Sequence, residues 1–268
     1  MSRLSQRFKQ LAEQSQSALI PFITAGDPHP DTTVSLMHVL VKAGASILEL
    51  GIPFSDPMAE GPVIQAANER ALGQAINLHA VLNYVSEFRT RDTTTPVVLM
   101  GYLNPIENKG YAEFAEIASE AGVDGIIIVD LPVEESTEVA KYLQAKQIDL
   151  IFLAAPTSTE ARLAKICQVA RGFIYYVSLK GVTGAGHLDV DGVKNKLQAL
   201  KEQTNLPIVV GFGIKTAQDA AQIAKIAEGV VIGSELVAQL AARVADKQKV
   251  LDHAAAFITQ VRQAMDKV

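Results

Sequence analysis

One carboxylate stands out in the sequence because its neighbours are apolar. Glu49 lies within the run Ile47-Leu48-Glu49-Leu50-Gly51, which has the composition of a buried strand. A buried carboxylate is costly, so Glu49 either pairs with a cation from a neighbouring strand or keeps its proton through a raised pKa. The inner strand stretches contain almost no cations, which favours the raised pKa. General acid–base catalysis needs such a group, and we therefore predict that Glu49 is catalytic.

Two further acids follow directly after this strand, in the loop of residues 53–62. Asp56 and Glu60 share this ten-residue loop with three prolines. Because proline fixes its own backbone angle, the loop has few conformations and its acids could be aimed at one point. The alternative is a rigid but solvated loop, and the residues alone leave both interpretations open.

Glycine-rich segments follow the last three predicted strands and point to a phosphate. In (β/α)8 barrels, the loops after strands seven and eight commonly bind phosphate through backbone N–H groups and a helix N-terminus. Any one segment could be an ordinary turn, but three in this order predict a phosphorylated ligand. Residues 179–189 also have few large apolar anchors, which predicts a loop that is mobile without ligand and closes over the site. The three segments are Gly181-Val182-Thr183-Gly184-Ala185-Gly186, Gly211-Phe212-Gly213 and Gly233-Ser234.

Other chemistries have little support in the sequence. The five histidines lack metal-ligand spacing, and no Gly-x-Ser-x-Gly motif occurs, so we predict no metal site and no serine nucleophile of that type. Lys180 and Lys215 flank the glycine segments and could form a Schiff base. Neither lies within a predicted strand, and phosphate attraction or solvation explains both more simply.

Two alternating kinds of apolar block must position these residues. Short Val/Ile/Leu-rich runs are typical of parallel strands covered on both faces, and the longer amphipathic stretches have helical spacing. Their alternation predicts a parallel sheet with right-handed crossovers, and eight strands favour a closed (β/α)8 TIM barrel over an open doubly wound sheet. The active site of such a barrel lies at the C-terminal ends of its strands. The predicted strands are 18–24, 46–52, 96–102, 125–129, 149–154, 172–177, 207–210 and 229–232. The predicted helices are 31–43, 62–72, 111–121, 133–146, 159–170, 190–202 and 216–227, and a further helix is predicted to start near Ser234.

Both ends of the chain carry helical signals. Residues 1–14 have Leu4, Phe8 and Leu11 on one helical face, which predicts an extra N-terminal helix that could close the bottom of the barrel. Residues 247–268 are predicted to form a terminal helix. Three residues can cap the helices that follow them, namely Asp31, Thr159 and Thr216.

Length and composition limit the classes of protein to which the chain can belong. A chain of 268 residues fits one barrel domain, 1–268, because α/β barrels run to about 200–250 residues undivided. The net charge is −5 with acids and bases mixed, which argues against a nucleic-acid surface. No apolar stretch approaches the roughly 18 residues that span a bilayer, so we expect no membrane association. The single cysteine, Cys167, excludes an intrachain disulfide, and a cytoplasmic location is expected.

Five segments lie in order along almost the whole chain, at residues 21–28, 48–62, 130–135, 181–184 and 211–214. Together they resemble the tryptophan synthase α subunit. The resemblance implies retro-aldol cleavage of indole-3-glycerol phosphate to indole and glyceraldehyde 3-phosphate, with no cofactor in this subunit. It also implies a pyridoxal-phosphate β subunit as partner, in an α2β2 heterotetramer, that takes up the indole.

The resemblance also implies roles for individual residues. Glu49 matches the main acid–base group, and Thr183 would secure it when the loop closes. Glu60 falls where the family commonly has aspartate, and it would accept the indole N–H and stabilise a cationic intermediate. Because glutamate is one methylene longer, either its side chain folds or its backbone stands back from the indole.

Three further sets of residues follow from the same resemblance. The walls of the indole pocket would be Phe22, Met100, Tyr102, Ile127, Val129, Leu153, Tyr175, Phe212 and Ile232. The phosphate donors would be Gly184, Gly213, Gly233 and Ser234. The face that docks the β subunit would include Asp56 and the turn Asn104-Pro105.

Two alternatives remain open at this stage. The chain could be another phosphate-binding barrel lyase or isomerase, although those typically place a lysine or aspartate where this chain has Glu49. It could also be a barrel without catalytic activity that binds and activates a partner.

Overall fold

Eight parallel strands close into one barrel in a computed structural model that describes residues 2–178, 190–211 and 213–268. Each strand pairs with the next along the chain, and the last pairs with the first, from Ala18 beside Gly229 to Pro21 beside Ile232. The predicted (β/α)8 barrel is therefore confirmed. The strands are β1 (Ala18–Thr24), β2 (Leu48–Gly51), β3 (Val97–Gly101), β4 (Gly125–Ile128), β5 (Asp149–Ala154), β6 (Ile174–Val177), β7 (Ile208–Gly211) and β8 (Gly229–Ile232).

Helices surround the barrel and cover its bottom. They are α1 (Arg3–Glu13), α2 (Thr33–Lys42), α3 (Pro62–Leu72), α4 (Leu78–Arg89), α5 (Leu103–Lys109), α6 (Tyr111–Ala121), α7 (Thr137–Ala145), α8 (Glu160–Val169), α9 (Val190–Lys201), α10 (Ala217–Ala224), α11 (Ser234–Ala241) and α12 (Lys247–Met265). Short 3₁₀ turns precede α2 and α7. Across the described ranges, no helix is both long and apolar enough to cross a membrane.

Two helices, α4 and α5, were absent from the sequence prediction. The buried Val81, Val85 and Phe88 of α4 have the helical spacing that the prediction overlooked. In α5 the pair Asn104-Pro105, predicted as a turn, lies instead in the first turn of the helix. Proline is tolerated there because the first N–H groups of a helix have no partner within it.

Two of the three predicted helix caps are confirmed. The hydroxyl of Thr159 accepts the N–H of Arg162 at the start of α8. Thr216 and Asp219 form a reciprocal capping box at the start of α10, each side chain accepting the other's backbone N–H. These caps satisfy N–H groups that have no partner within the helix.

The third predicted cap, Asp31, is wrong. A 3₁₀ turn already begins at Pro30, so Asp31 lies inside that turn and His29 takes the position before it. The carboxylate of Asp31 pairs instead with Lys247 at the start of α12.

The hydrophobic core has two layers, one between the strands and helices and one inside the barrel. Helix α1 closes the bottom of the inner layer, as predicted, because Leu4, Phe8 and Leu11 are buried there. The ring of Phe8 lies 5.8 Å from that of Phe173. Burying each such side chain contributes about 1.5–3 kcal/mol, more than the half-exposed ion pair between Arg3 and Asp124 supplies. Apolar packing is therefore the main force that holds α1 in place.

Candidate active site

Glu49 points into the barrel because side chains alternate along β2. Leu48 and Leu50 pack outward against the helices, which sends Glu49 inward. Its neighbours across the sheet are Phe22 on β1 and Val98 on β3. Glu49 is 1% exposed, and its Oε2 has no hydrogen-bond partner among the residues described. Burial, and then the negative charge of Glu60, raises the pKa of Glu49 to about 8.

Glu60 reaches the same cavity from the loop that follows β2. Backbone contacts hold it: its N–H donates to the carbonyl of Pro57 over 3.0 Å, and its carbonyl accepts Nε2 of Gln65 over 2.8 Å. Burial raises the pKa of Glu60 to about 7. The loop thus presents a second carboxyl group with a raised pKa to the cavity.

The cavity has a volume of about 320 Å³ and lies at the C-terminal end of the strands. It combines the two carboxyl groups, apolar walls and the glycine segments after β7 and β8. Its lining residues are Phe22, Glu49, Glu60, Gly61, Val63, Ile64, Met100, Tyr175, Gly213, Ile214, Lys215, Val231, Gly233, Ser234, Glu235 and Ala238. The structure therefore brings both acids together with Phe22, Met100, Tyr175, Gly213, Gly233 and Ser234 of the sequence prediction.

Several predicted wall residues do not line this cavity, although Ile127, Val129 and Leu153 belong to the same inner core as Phe22 and Tyr175. Ile127 is fully buried within the barrel. Val129 is partly buried against the inner core, and Leu153 lines a different cavity of about 490 Å³. Ile232 packs outward against the helices, and its neighbour Val231 lines the candidate cavity. Successive side chains of a strand face opposite sides, so an error of one position exchanges the two faces.

Tyr102 holds the loop of Glu60 and does not line the cavity. Its hydroxyl accepts the N–H of Ala59 over 3.1 Å, and its ring stacks on Phe54 with centroids 5.0 Å apart. Burial raises the pKa of Tyr102 to about 12, so the hydroxyl stays protonated near neutral pH. Two separate points of the loop are thus fixed to one side chain at the end of β3.

A partly buried ion pair anchors α3, the helix that follows this loop. Arg70 donates to both carboxylate oxygens of Asp27, with Nε at 2.6 Å and Nη2 at 3.0 Å. Burial raises the pKa of Asp27, and the bonds to Arg70 oppose that shift. Two parallel N–H···O bonds fix direction as well as distance, so this pair orients α3 and its cavity residues Val63 and Ile64.

The glycine segments after β7 and β8 meet at one end of the cavity. Gly213 has a φ of +75°, a backbone conformation that favours glycine. Gly233 precedes α11, which begins at Ser234, so the helix N-terminus adjoins the cavity. Lys215 is the basic residue among the described lining residues. Thr183, Gly184 and Phe212, like the rest of 179–189, lie outside the described residues.

Sequence reasoning missed three cavity residues whose signals were present. Val231 follows from strand alternation within β8, and Ile64 from the start of α3 at Pro62. Glu235 directly follows Gly233-Ser234, which was assigned to phosphate binding. Lys215, for which phosphate attraction was one predicted role, also lines the cavity. Within the described ranges, no group of three or more His, Cys, Asp or Glu side chains could hold a metal ion.

Two of the three residues predicted to dock a partner, Asp56 and Asn104, are exposed. Asp56 points outward and accepts the hydroxyl of Ser55 over 2.5 Å. Asn104 is exposed on α5, and Pro105 beside it is half-buried. Met58, in the same loop as Asp56, is 82% exposed.

Comparison with known proteins gives a consistent result. The family model described as "Tryptophan synthase alpha chain" matches residues 8–266. The tryptophan synthase alpha chain of Ralstonia nicotianae is 56% identical over 266 residues, which cover 99% of this chain and 100% of that protein. The corresponding protein of Thioalkalivibrio sulfidiphilus is 53% identical over 266 residues, with the same coverage.

Solved structures agree with these sequence relatives. Tryptophan synthase subunit alpha from Legionella pneumophila str. Paris has a TM-score of 0.93 and 47% identity, covering 100% of both chains. Tryptophan synthase from M. tuberculosis, in an aminoacrylate-bound form, has a TM-score of 0.88 and 30% identity, covering 99% of this chain and 100% of that one.

Proposed function

The chain belongs to the tryptophan synthase α-chain family, and from this premise we propose that Glu49 and Glu60 carry out its reaction. That reaction cleaves a carbon–carbon bond of indole-3-glycerol phosphate to give indole and glyceraldehyde 3-phosphate. Family membership decides against a different phosphate-binding lyase or isomerase. The observation that carries the proposal is that two carboxyl groups with raised pKa values share one cavity.

Glu49 acts first as an acid and then as a base. With a pKa of about 8 it holds its proton at neutral pH and donates it to the ring carbon that carries the glycerol chain. The resulting carboxylate takes the proton of the adjacent glycerol hydroxyl, whose O–H electrons form the aldehyde carbonyl. The carbon–carbon bond breaks, its electrons return to the ring, and Glu49 regains its proton.

Glu60 stabilises the charge that this protonation creates. Protonation at carbon leaves the indole nitrogen cationic until the bond breaks. A carboxylate facing that nitrogen favours this state over the neutral substrate, so it lowers the barrier more than it improves binding. The pKa of Glu60, about 7, lies below that of Glu49, so an ionised Glu60 beside a protonated Glu49 is the favoured arrangement.

The phosphate binds at the glycine end of the cavity. Gly213, Gly233 and Ser234 offer backbone N–H groups there, and the positive end of the α11 dipole favours an anion. Lys215 adds a positive charge at the same end. Gly184 and Thr183 keep their proposed roles, as phosphate donor and as partner of Glu49, although they lie outside the described residues.

The partner is a β subunit that receives the indole, in an α2β2 assembly. Asp56, Asn104 and Pro105 form part of the docking face, supported by the exposure of Asp56 and Asn104 and of the apolar Met58 near the cavity. The single barrel is taken as one domain, 1–268. A cytoplasmic location agrees with a chain whose only cysteine is Cys167.

Turnover by the isolated chain tests the proposal. Glu49→Gln keeps the shape of the side chain but cannot transfer a proton, so the rate should fall by roughly 10²–10⁴-fold. Inhibition by glycerol 3-phosphate should be unchanged because the phosphate contacts remain. If Glu49→Gln cleaves the substrate at the wild-type rate, the result would favour a barrel whose acids have no catalytic role.

A further inference from the structure

The phosphate end of the cavity contains a carboxylate that no step of the reaction uses. Glu235 lies in the first turn of α11, one residue after Ser234, and lines the same cavity as Gly233. The free N–H groups of this turn are the positive helix end to which the phosphate binds. Those groups attract any carboxylate in the same turn, so Glu235 is a potential competitor of the phosphate.

Gln239 restrains this carboxylate. Its Nε2 donates to Oε1 of Glu235 over 2.7 Å, in a pair four residues apart on one face of the helix. The bond draws the carboxylate along the helix toward the next turn. In this position Glu235 leaves the N–H groups of the first turn free.

Gln239 is itself held in one orientation. Its Oε1 is paired with Nε2 of His253 on α12. An amide oxygen only accepts hydrogen bonds, so His253 is the donor and the amide NH₂ of Gln239 faces Glu235. Arg243 donates to the backbone carbonyl of Gln239 over 2.6 Å. The restraint on Glu235 thus extends to a second helix.

We propose that Gln239 is a positioning residue for phosphate recognition, which holds the carboxylate of Glu235 away from the N-terminus of α11. The proposal rests on the phosphate site described under the proposed function. When the amide is lost, Glu235 turns toward its own helix end and opposes the phosphate dianion. The effect falls on binding of the phosphate group and spares the chemistry at Glu49.

Inhibition by glycerol 3-phosphate, which carries the phosphate but no indole, measures this effect in the full chain. Gln239→Met removes the amide and keeps the length of the side chain. The inhibition constant should rise at least about fivefold, the size of a like-charge interaction at contact distance in water. The kcat should change less than about twofold, because the chemistry at Glu49 is unaffected. A purely structural defect would instead lower kcat as well.

Two variants of Glu235 separate its charge from its size. Glu235→Asp keeps the charge but is too short to reach Gln239, so it should weaken inhibition as Gln239→Met does. Glu235→Gln removes the charge and should leave inhibition equal or stronger. In the double variant Glu235→Gln/Gln239→Met, inhibition should return to the value for Glu235→Gln alone.

The chain offers a matched control on α12. Gln248 and Asp252 form the same amide–carboxylate pair, four residues apart and 2.8 Å long, on an exposed surface. Gln248→Met should leave both inhibition and kcat unchanged.

Three outcomes would overturn the proposal. The first is unchanged inhibition of a folded Gln239→Met or Glu235→Asp enzyme. The second is a double variant that binds as weakly as Gln239→Met alone. The third is a wild-type enzyme that glycerol 3-phosphate does not inhibit, which would refute the phosphate site as well. If Gln239→Met does not fold, Glu235→Asp provides the same test.

Discussion

The hydroxyl of Tyr175 lies so close to Gly211 that no side chain fits at that glycine. A Cβ at position 211 would stand 2.1 Å from Oη and 2.5 Å from Cζ of Tyr175. Tyr175 lines the cavity, and burial, followed by the charges of Glu49 and Glu60, raises its pKa well above the ordinary value. Gly211 therefore leaves room for an uncharged ring beside the two acids.

Gly211→Ala should destabilise the protein and displace this ring. Overpacking of this kind costs about 1–3 kcal/mol, or about 2–4 °C of melting temperature per kcal/mol in a chain of this size. Tyr175→Leu in the same chain should relieve most of the cost, and Tyr175→Phe much less, because Cζ remains. Thermal unfolding of the single and double variants measures this coupling. If Gly211→Ala costs as much in the Tyr175→Leu variant as in the wild-type chain, the contact is not the cause.

Tyr102→Phe should lower kcat with little change in KM. It removes the acceptor for the N–H of Ala59 and keeps the stack on Phe54, so Glu60 loses one restraint. Loss of a hydrogen bond worth about 0.5–1.5 kcal/mol predicts a decrease of about 2- to 10-fold. Tyr176→Phe is the control, since Tyr176 is a buried tyrosine on the outer face of β6. A raised KM with normal kcat would instead support Tyr102 as a wall of the indole pocket.

The pH dependence of kcat/KM should be bell-shaped and report both acids. Activity rises through a pH of about 7 as Glu60 ionises, and it falls through about 8 as Glu49 loses its proton. Glu60→Gln should remove the acidic limb and move the residual basic limb to lower pH, because the charge of Glu60 contributes to the raised pKa of Glu49. A basic limb at the same pH in both enzymes would argue against coupling between the two groups.

Glu49→Gln should stabilise the fold at alkaline pH. The pKa of Glu49 is about 8 in the folded chain, against an ordinary value of 4.5. Between these values the folded state keeps a proton that the unfolded state has released, so stability falls as pH rises through this window. Glutamine does not ionise, and its advantage in melting temperature should therefore be larger at about pH 8 than at about pH 5. An advantage that does not change with pH would mean that Glu49 does not titrate in this range.

Glu60→Gln should impair turnover severely, while Glu60→Asp should retain much of it because the negative charge survives. Asp56→Asn is the matched control in the same loop, since Asp56 is exposed and lies outside the cavity. Steady-state kinetics with and without the β subunit separate the two acids. Asp56→Asn should reduce only activation by the partner. Loss of cleavage in isolated Asp56→Asn, with normal Glu60→Gln, would reverse the assignment.

The sequence predicted the barrel well because local signals and the global fold agree. The bounds of β1, β5 and β8 coincide with the predicted strands, since continuous β-branched runs end abruptly at polar residues or glycine. Glu49 was identifiable for the same reason, as a single acid within such a run. The helices α4 and α5 escaped prediction although α4 carries helical spacing.

Contacts between distant parts of the chain could not be predicted. Asp27 and Arg70 are 43 residues apart, and neither belongs to a motif that requires the other. The contact of Tyr102 with the backbone of Ala59 depends on the path of the loop, which no side-chain pattern encodes. The prediction of Ile232 as a wall residue, where Val231 lines the cavity, has a different origin. Side chains alternate between the two faces of a strand, so an error of one residue moves the predicted side chain to the opposite face.

The contacts that hold the first helix of the chain join segments that are far apart in the sequence. Arg3 of α1 donates to Asp124 over 2.8 Å, Phe8 packs on Phe173, and Ser2 donates to Asp149 over 2.8 Å. Its partners are thus made more than a hundred residues later in synthesis, and contacts so far apart in sequence form slowly. Closure of the bottom of the barrel by α1 therefore cannot be completed until β4, β5 and the residues just before β6 have been synthesised.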